Sequence, residues 1–291
     1  MTATIRELKD FLASAGPAAF VEVAGTKGST PRETGAYMLV SSHATFGTIG
    51  GGQLEYMAID KARQMLHSPI ASESIDVNQV CATLDVPLGP EIGQCCGGRV
   101  EVAIRVVDEK MSAGLIAAAE RQEERLPCLY IFGGGHVGKA LAAAVALLPL
   151  RTVVVETRAE ELEGVADGVE RRLTPMPEAV VRDAPAGSAF AVLTHDHALD
   201  FLVVAEALRR GDAAYVGMIG SKTKKATFKS WFLKTAGGTE MELARLVSPI
   251  GGEAVKDKRP PVIAVLAAEE SMTALSLRGA KAAAEVAGTA R

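Results

Sequence analysis

Cys128-Leu129-Tyr130-Ile131-Phe132-Gly133-Gly134-Gly135-His136-Val137-Gly138 is the stretch that decides the fold. Five residues of strand character run into a G-x-G-x-x-G loop, and the alanine-rich run after it reads as a helix over 137–148. Glycines let the backbone turn sharply and approach a ligand closely. The helix start supplies oriented N–H donors and the positive end of a dipole, a setting that suits phosphate. Glu156 closes the following strand 18 residues beyond Gly138, where a dinucleotide-binding unit carries its acidic residue.

Further strands read near 152–156, 169–173, 188–194 and 213–218, with helices near 199–210, 222–234 and 261–277. This alternation predicts an α/β architecture, a Rossmann-like doubly wound parallel sheet over 127–291. In that topology the first and fourth strands are neighbours, so Thr194-His195-Asp196-His197 should face the glycine loop. Gly133, Gly135, His136 and Gly138 are then candidate ligand contacts. His195 and Asp196 join them for polar contact or proton transfer. His197 reads as a helix start or a surface residue. Ser221 and Lys222 open another helix on the same side, while Lys224, Lys225 and Lys229 read as a solvated face. Glu156 is assigned to a ribose hydroxyl if a nucleotide binds, with Arg158 as its other possible partner.

The sheet is preceded by a smaller α+β domain, residues 1–107, and a helical linker over 108–126. Helices read over 2–14 and 53–67, and strands over 18–24, 36–41, 45–48 and 99–107. The chemistry here sits in Gly93-Gln94-Cys95-Cys96-Gly97-Gly98-Arg99, which holds two of the four cysteines side by side. Successive amides in such a turn form an anion-binding nest, and a thiol beside it and Arg99 should ionise readily. Adjacent cysteines do not match the two-to-four-residue spacing of structural zinc ligands. Gly28-Ser29-Thr30-Pro31-Arg32 and Gly50-Gly51-Gly52 are two further loops of anion-binding character.

A length of 291 residues fits two domains, and 48% apolar residues provide ample core. A net charge of −4 and 4% aromatic residues give no case for nucleic acid or a membrane surface. The amino terminus has no apolar signal core, so a cytoplasmic location with reduced thiols is expected.

Taken in order, Gly28-Ser29-Thr30-Pro31-Arg32, Gly50 to Glu55, Gly93 to Gly98, Phe132 to Gly138, Thr194 to His197 and Val216 to Ser221 resemble the xanthine dehydrogenase accessory protein family, the XdhC-type molybdenum cofactor chaperones. The resemblance implies an accessory protein of purine catabolism, and not an enzyme, that binds molybdenum cofactor as cargo. It would hold the cargo during sulfuration and deliver it to apo xanthine dehydrogenase. It also implies contact with a cysteine desulfurase and a homo-oligomer. On the matching positions, Cys96 with Cys95 would meet the molybdenum, beside Gln94 and Gly97, and the Gly133–Gly138 loop would hold the phosphate. The sequence departs from the family at Glu156-Thr157-Arg158, which replaces an acidic pair, and over 252–258. Two other readings compete. One is an NAD(P)-dependent oxidoreductase using the glycine loop and Glu156. The other is a metal-dependent hydrolase using His195, Asp196 and His197.

Overall fold

The computed structural model describes residues 5–67, 82–89 and 97–289. The chain divides into two compact units, one ending at Glu124 and the other beginning at Arg125.

In the first unit, β1 (Ala18–Lys27), β2 (Tyr37–Ser41), β3 (Thr45–Gly47), β4 (Ala82–Pro87) and β5 (Arg99–Val106) form an antiparallel sheet in the order β3-β2-β1-β5-β4. Side chains alternate across a strand. Val21 and Val23 thus meet Leu54, Ala58 and Ala62 of α2 (Gly52–Leu66) on one face. Phe20 and Leu39 meet Leu8 and Phe11 of α1 (Ile5–Ser14) on the other. Both faces are covered, so the start of β1 is apolar almost without a break. The helix expected to link the halves is α3 (Glu109–Glu124). Its Met111, Leu115 and Ala119 pack on the α1 cluster, and Glu120 pairs with Lys9 at 2.8 Å.

The second unit is the doubly wound sheet that the glycine motif predicts. Its strands are β6 (Cys128–Phe132), β7 (Arg151–Glu156), β8 (Glu170–Leu173), β9 (Ala189–Val192), β10 (Tyr215–Met218) and β11 (Leu246–Val247). All pair in parallel, in the order β11-β10-β9-β6-β7-β8. The first strand, β6, lies beside the fourth, β9, which makes the switch point of the topology. Tyr130 and Phe132 face a core shared with α5 (Pro177–Asp183), α6 (His197–Arg209) and α7 (Lys222–Lys234). Leu129 and Ile131 face α4 (His136–Val145) and α9 (Pro260–Thr289). Four described elements of this unit lie outside the sequence reading: the 3-10 turn Ala159–Leu162, α5, the one-turn α8 (Glu240–Leu243) and the two-residue β11. Each is too short to display a period.

Candidate functional site at the carboxyl ends of the parallel strands

The carboxyl ends of β6, β7, β9 and β10 carry the residues singled out from sequence. Gly133 takes φ +112°, and a Cβ there would stand 2.7 Å from the Leu193 carbonyl oxygen on the neighbouring strand. Gly134 has no room because the Glu161 carbonyl lies against it, and Gly138 is pressed onto the Gly133 carbonyl. Gly135 alone in this loop faces open space. Three glycines therefore hold the loop tight, and the fourth leaves a free approach to the start of α4. No side chain caps that start. By contrast, Asp196 caps α6 and Ser221 caps α7. The α4 terminus is the one of the three with backbone donors not already met by a cap.

Glu156 is buried at the end of β7 and already engaged. Its Oε2 accepts from Gly134 N at 2.9 Å, while Oε1 accepts from Thr157 N at 2.8 Å, Thr157 Oγ1 at 3.2 Å and Arg158 N at 3.3 Å. Burial raises its pKa, but these donors to the charged form outweigh burial, and the net shift is downward. The carboxylate thus braces the glycine loop against β7. Because the folded pKa is lowered, the stabilisation is complete above the ordinary glutamate value of about 4.3 and fades as pH falls through the folded value. Glu156→Gln should cost about 1–3 kcal/mol near neutrality, and the gap to the parent should narrow as pH falls from about 6 to about 3. Urea midpoints across that range measure it; a gap independent of pH would refute the charged brace.

His136, His195, Asp196 and His197 are all exposed. Asp196 accepts from Ala198 N at 2.8 Å and Leu199 N at 3.3 Å, and these bonds hold its carboxyl below the usual range. Asp196 is thus the helix cap, and His197 is the first residue of α6. His195 Nδ1 lies 3.2 Å from Arg158 Nη2, so the ends of β7 and β9 touch across β6 through this pair. Among the described residues, no group of three His, Cys, Asp or Glu side chains is placed to hold a metal ion.

The lysines of α7 divide differently from the sequence reading. Lys222 is exposed and pairs with Glu253 at 3.3 Å. Lys224 is buried and ion-paired with Asp200 of α6, itself fully buried. Asp200 Oδ1 also accepts from Thr194 N at 3.1 Å and Thr194 Oγ1 at 2.6 Å. Lys225 donates to the Ser248 carbonyl at 2.9 Å. The Asp200–Lys224 pair therefore ties the Thr194–His197 loop to α7. A signal for it exists in the sequence. Lys224, Phe228 and Phe232 recur every four residues, as do Asp200, Val204 and Leu208, and each set falls on one helical face.

In the first unit, the Gly28–Arg32 loop meets Gly97 and Gly98 backbone to backbone and packs the Pro31 ring against Gly50. Ser29 forms a parallel bridge with Gly97, and Gly98 has no room for a Cβ against the Ser29 carbonyl. A Cβ on Gly50 would stand 2.8 Å from Pro31 Cγ. Gly97, with φ +62°, is the end of the cysteine loop; Gln94, Cys95 and Cys96 lie outside the described residues. Two sequence expectations change here. Arg99 is held by Asp85, with Nη2 2.7 Å from Oδ2, so its charge is matched across β4 and β5. The start of α2 is filled by its own Glu55, whose Oε2 accepts from Thr48 Oγ1 at 2.6 Å, Gly51 N at 2.9 Å and Ile49 N at 3.2 Å. That position already holds an anion.

A Rossmann unit behind an α+β unit with a glycine-framed cysteine pair is the class that fold and loops define. Residues 129–270 match the model of the XdhC Rossmann domain, and residues 11–71 match that of the XdhC and CoxI family. The chain belongs to the XdhC family. It is 26% identical over 253 residues to the uncharacterized protein YqeB of Escherichia coli K12, covering 81% of this chain but only 39% of that curated relative. A solved structure from Bacillus halodurans, described as a xanthine dehydrogenase, superposes with a TM-score of 0.73. That match covers 94% of this chain and 96% of the other at 18% identity, so the shared property is the fold.

Proposed function

We propose that this chain is a maturation factor for xanthine dehydrogenase. It takes molybdenum cofactor as cargo, shelters it while a cysteine desulfurase supplies sulfur, and passes it to the apo enzyme. The protein would work as a homo-oligomer in the cytoplasm. Membership of the XdhC family supports the maturation role. The observation that carries cargo binding is the uncapped start of α4 behind the open face of Gly135. A terminal phosphate would find backbone donors and the positive end of the helix there. Gly133, Gly135, His136 and Gly138 are assigned to that end of the cargo, with His195, Asp196, Ser221 and Lys222 from the neighbouring strand ends. Soft thiolates suit a thiophilic metal, and Cys96, with Cys95, Gln94 and Gly97, is assigned to the molybdenum end.

The alternative, an NAD(P)-dependent oxidoreductase, draws on the same loop. It loses support at Glu156, whose oxygens already accept four hydrogen bonds from their own neighbourhood. Among the described residues, no helix is long and apolar enough to cross a membrane.

The deciding experiment is the Cys95→Ala, Cys96→Ala double variant mixed anaerobically with isolated molybdenum cofactor. Its bound molybdenum should fall to background while circular dichroism and melting temperature stay those of the parent. Molybdenum stoichiometry equal to the parent's would overturn the assignment. A parallel thermal-shift series with NAD and NADP tests the alternative, because a ligand that binds the native state raises the melting temperature.

A further inference from the structure

The pair formed by Arg158 and His195 bears on where the ring carries its proton. A guanidinium has five N–H donors and no acceptor. The ring nitrogen facing it, His195 Nδ1 at 3.2 Å from Arg158 Nη2, must therefore present its lone pair. A proton on Nδ1 would point at the guanidinium N–H, so the contact suits the tautomer with its lone pair on Nδ1. That tautomer carries its ring proton on Nε2.

We propose that Arg158 is a positioning residue that holds His195 as its neutral Nε2–H tautomer, and that His195 meets its ligand as a hydrogen-bond donor aimed at an acceptor oxygen. Of the two roles read from the sequence, polar contact and proton transfer, this is the polar contact. Only the identity of the ligand rests on the reading above; the oxygen would then be a pterin carbonyl or a phosphate oxygen.

The surroundings support a preset donor. Asp196 is the nearest carboxylate in sequence, and its Oδ1 accepts from two backbone amides of α6. A histidine working as a base has a carboxylate on its other ring nitrogen; here the partner is a cation. Thr194, on the other side, is held through both N and Oγ1 by buried Asp200, and its Oγ1 also accepts from Asp196 N at 3.2 Å. Arg158 is itself fixed by Glu161 Oε1, 3.1 Å from Nη2. Its Nε is buried without a hydrogen-bond partner, Glu156 Oε1 standing 3.9 Å away. Backbone and partner thus set the imidazole's place before a ligand arrives, which lowers the entropy lost on binding.

Two measurements on the full-length protein test this. The first needs no ligand: a long-range proton–nitrogen NMR spectrum of the histidine rings, near pH 7.5, with His195 assigned by its loss in His195→Gln. A protonated Nε2 and a lone-pair Nδ1 are expected; a protonated Nδ1 overturns the proposal. The second is affinity for isolated molybdenum cofactor. The His195→Gln amide N–H reaches the place of Nε2–H and should keep affinity within about threefold, whereas His195→Leu should lose about tenfold, the worth of one ordinary hydrogen bond. Equal losses in both variants overturn the donor role. Arg158→Met should mix the two tautomers and weaken binding as far as His195→Leu, with the melting temperature within about 2 °C of the parent. An unmixed ring spectrum in Arg158→Met overturns the positioning role. If the parent binds no cofactor, the maturation reading fails and the ring spectrum alone decides this proposal.

Discussion

Alanine at position 138 is expected to destabilise the second unit by about 3 kcal/mol or more, the upper range for overpacking, because the obstructing atom is backbone. The new Cβ would overlap the Gly133 carbonyl oxygen and lie 3.7 Å from Ile131 Cγ2. A flexible side chain could swing aside; this carbonyl terminates β6 and begins the glycine turn. Relief requires α4 to move off the sheet, which opens the core formed by Leu141, Ala142 and Val145 with Leu129 and Ile131. Gly135→Ala is the control. Its Cβ meets nothing within 4 Å and its φ is an ordinary −70°, so a cost below about 1 kcal/mol is expected. Trp231, the single tryptophan, packs in the second unit against Phe228 and Phe201, so its fluorescence follows that unit's unfolding in urea. Equal midpoints for the two variants would contradict this account of the loop.

Lys224→Met is expected to cost about 3–5 kcal/mol, since it leaves the Asp200 carboxylate buried without its counter-charge. Adding Asp200→Asn should recover much of the loss. An intact buried ion pair is worth little over a neutral replacement, and an asparagine oxygen still accepts from Thr194 N and Oγ1. The same tryptophan-monitored urea series measures the coupling between the two positions. If the double variant is as unstable as Lys224→Met alone, the cost comes from lost lysine packing and not from the bare carboxylate.

Much of the second unit was legible before any coordinate was known. The Gly133–Gly138 loop between an apolar run and a helix implied a parallel sheet, and that topology placed β9 beside β6. What escaped reading has physical causes. Leu246–Val247 is too short for any period, so β11 emerges only from its pairing with β10. Lysines 222, 224, 225 and 229 look alike in composition, and only the helix's rotation shows that Lys224 turns inward. Glu156 was read as a ribose contact if a nucleotide binds, with Arg158 as its other possible partner, and Arg158 N does donate to it. Its other donors are the amides of Gly134 and Thr157 and the Thr157 hydroxyl, and the backbone amides among them carry no residue-type signature. Glu55 escaped for the same reason: the atoms it satisfies belong mostly to the main chain.

The backbone amide of Leu88 donates to the carbonyl of Gly98 at 2.7 Å, and the next residue, Arg99, is held to Asp85. Sheet pairing on both sides is thereby closed off before residue 89 and after residue 97. The register between β4 and β5 is therefore set by the described residues on either side, Ala82–Pro87 and Arg99–Val106.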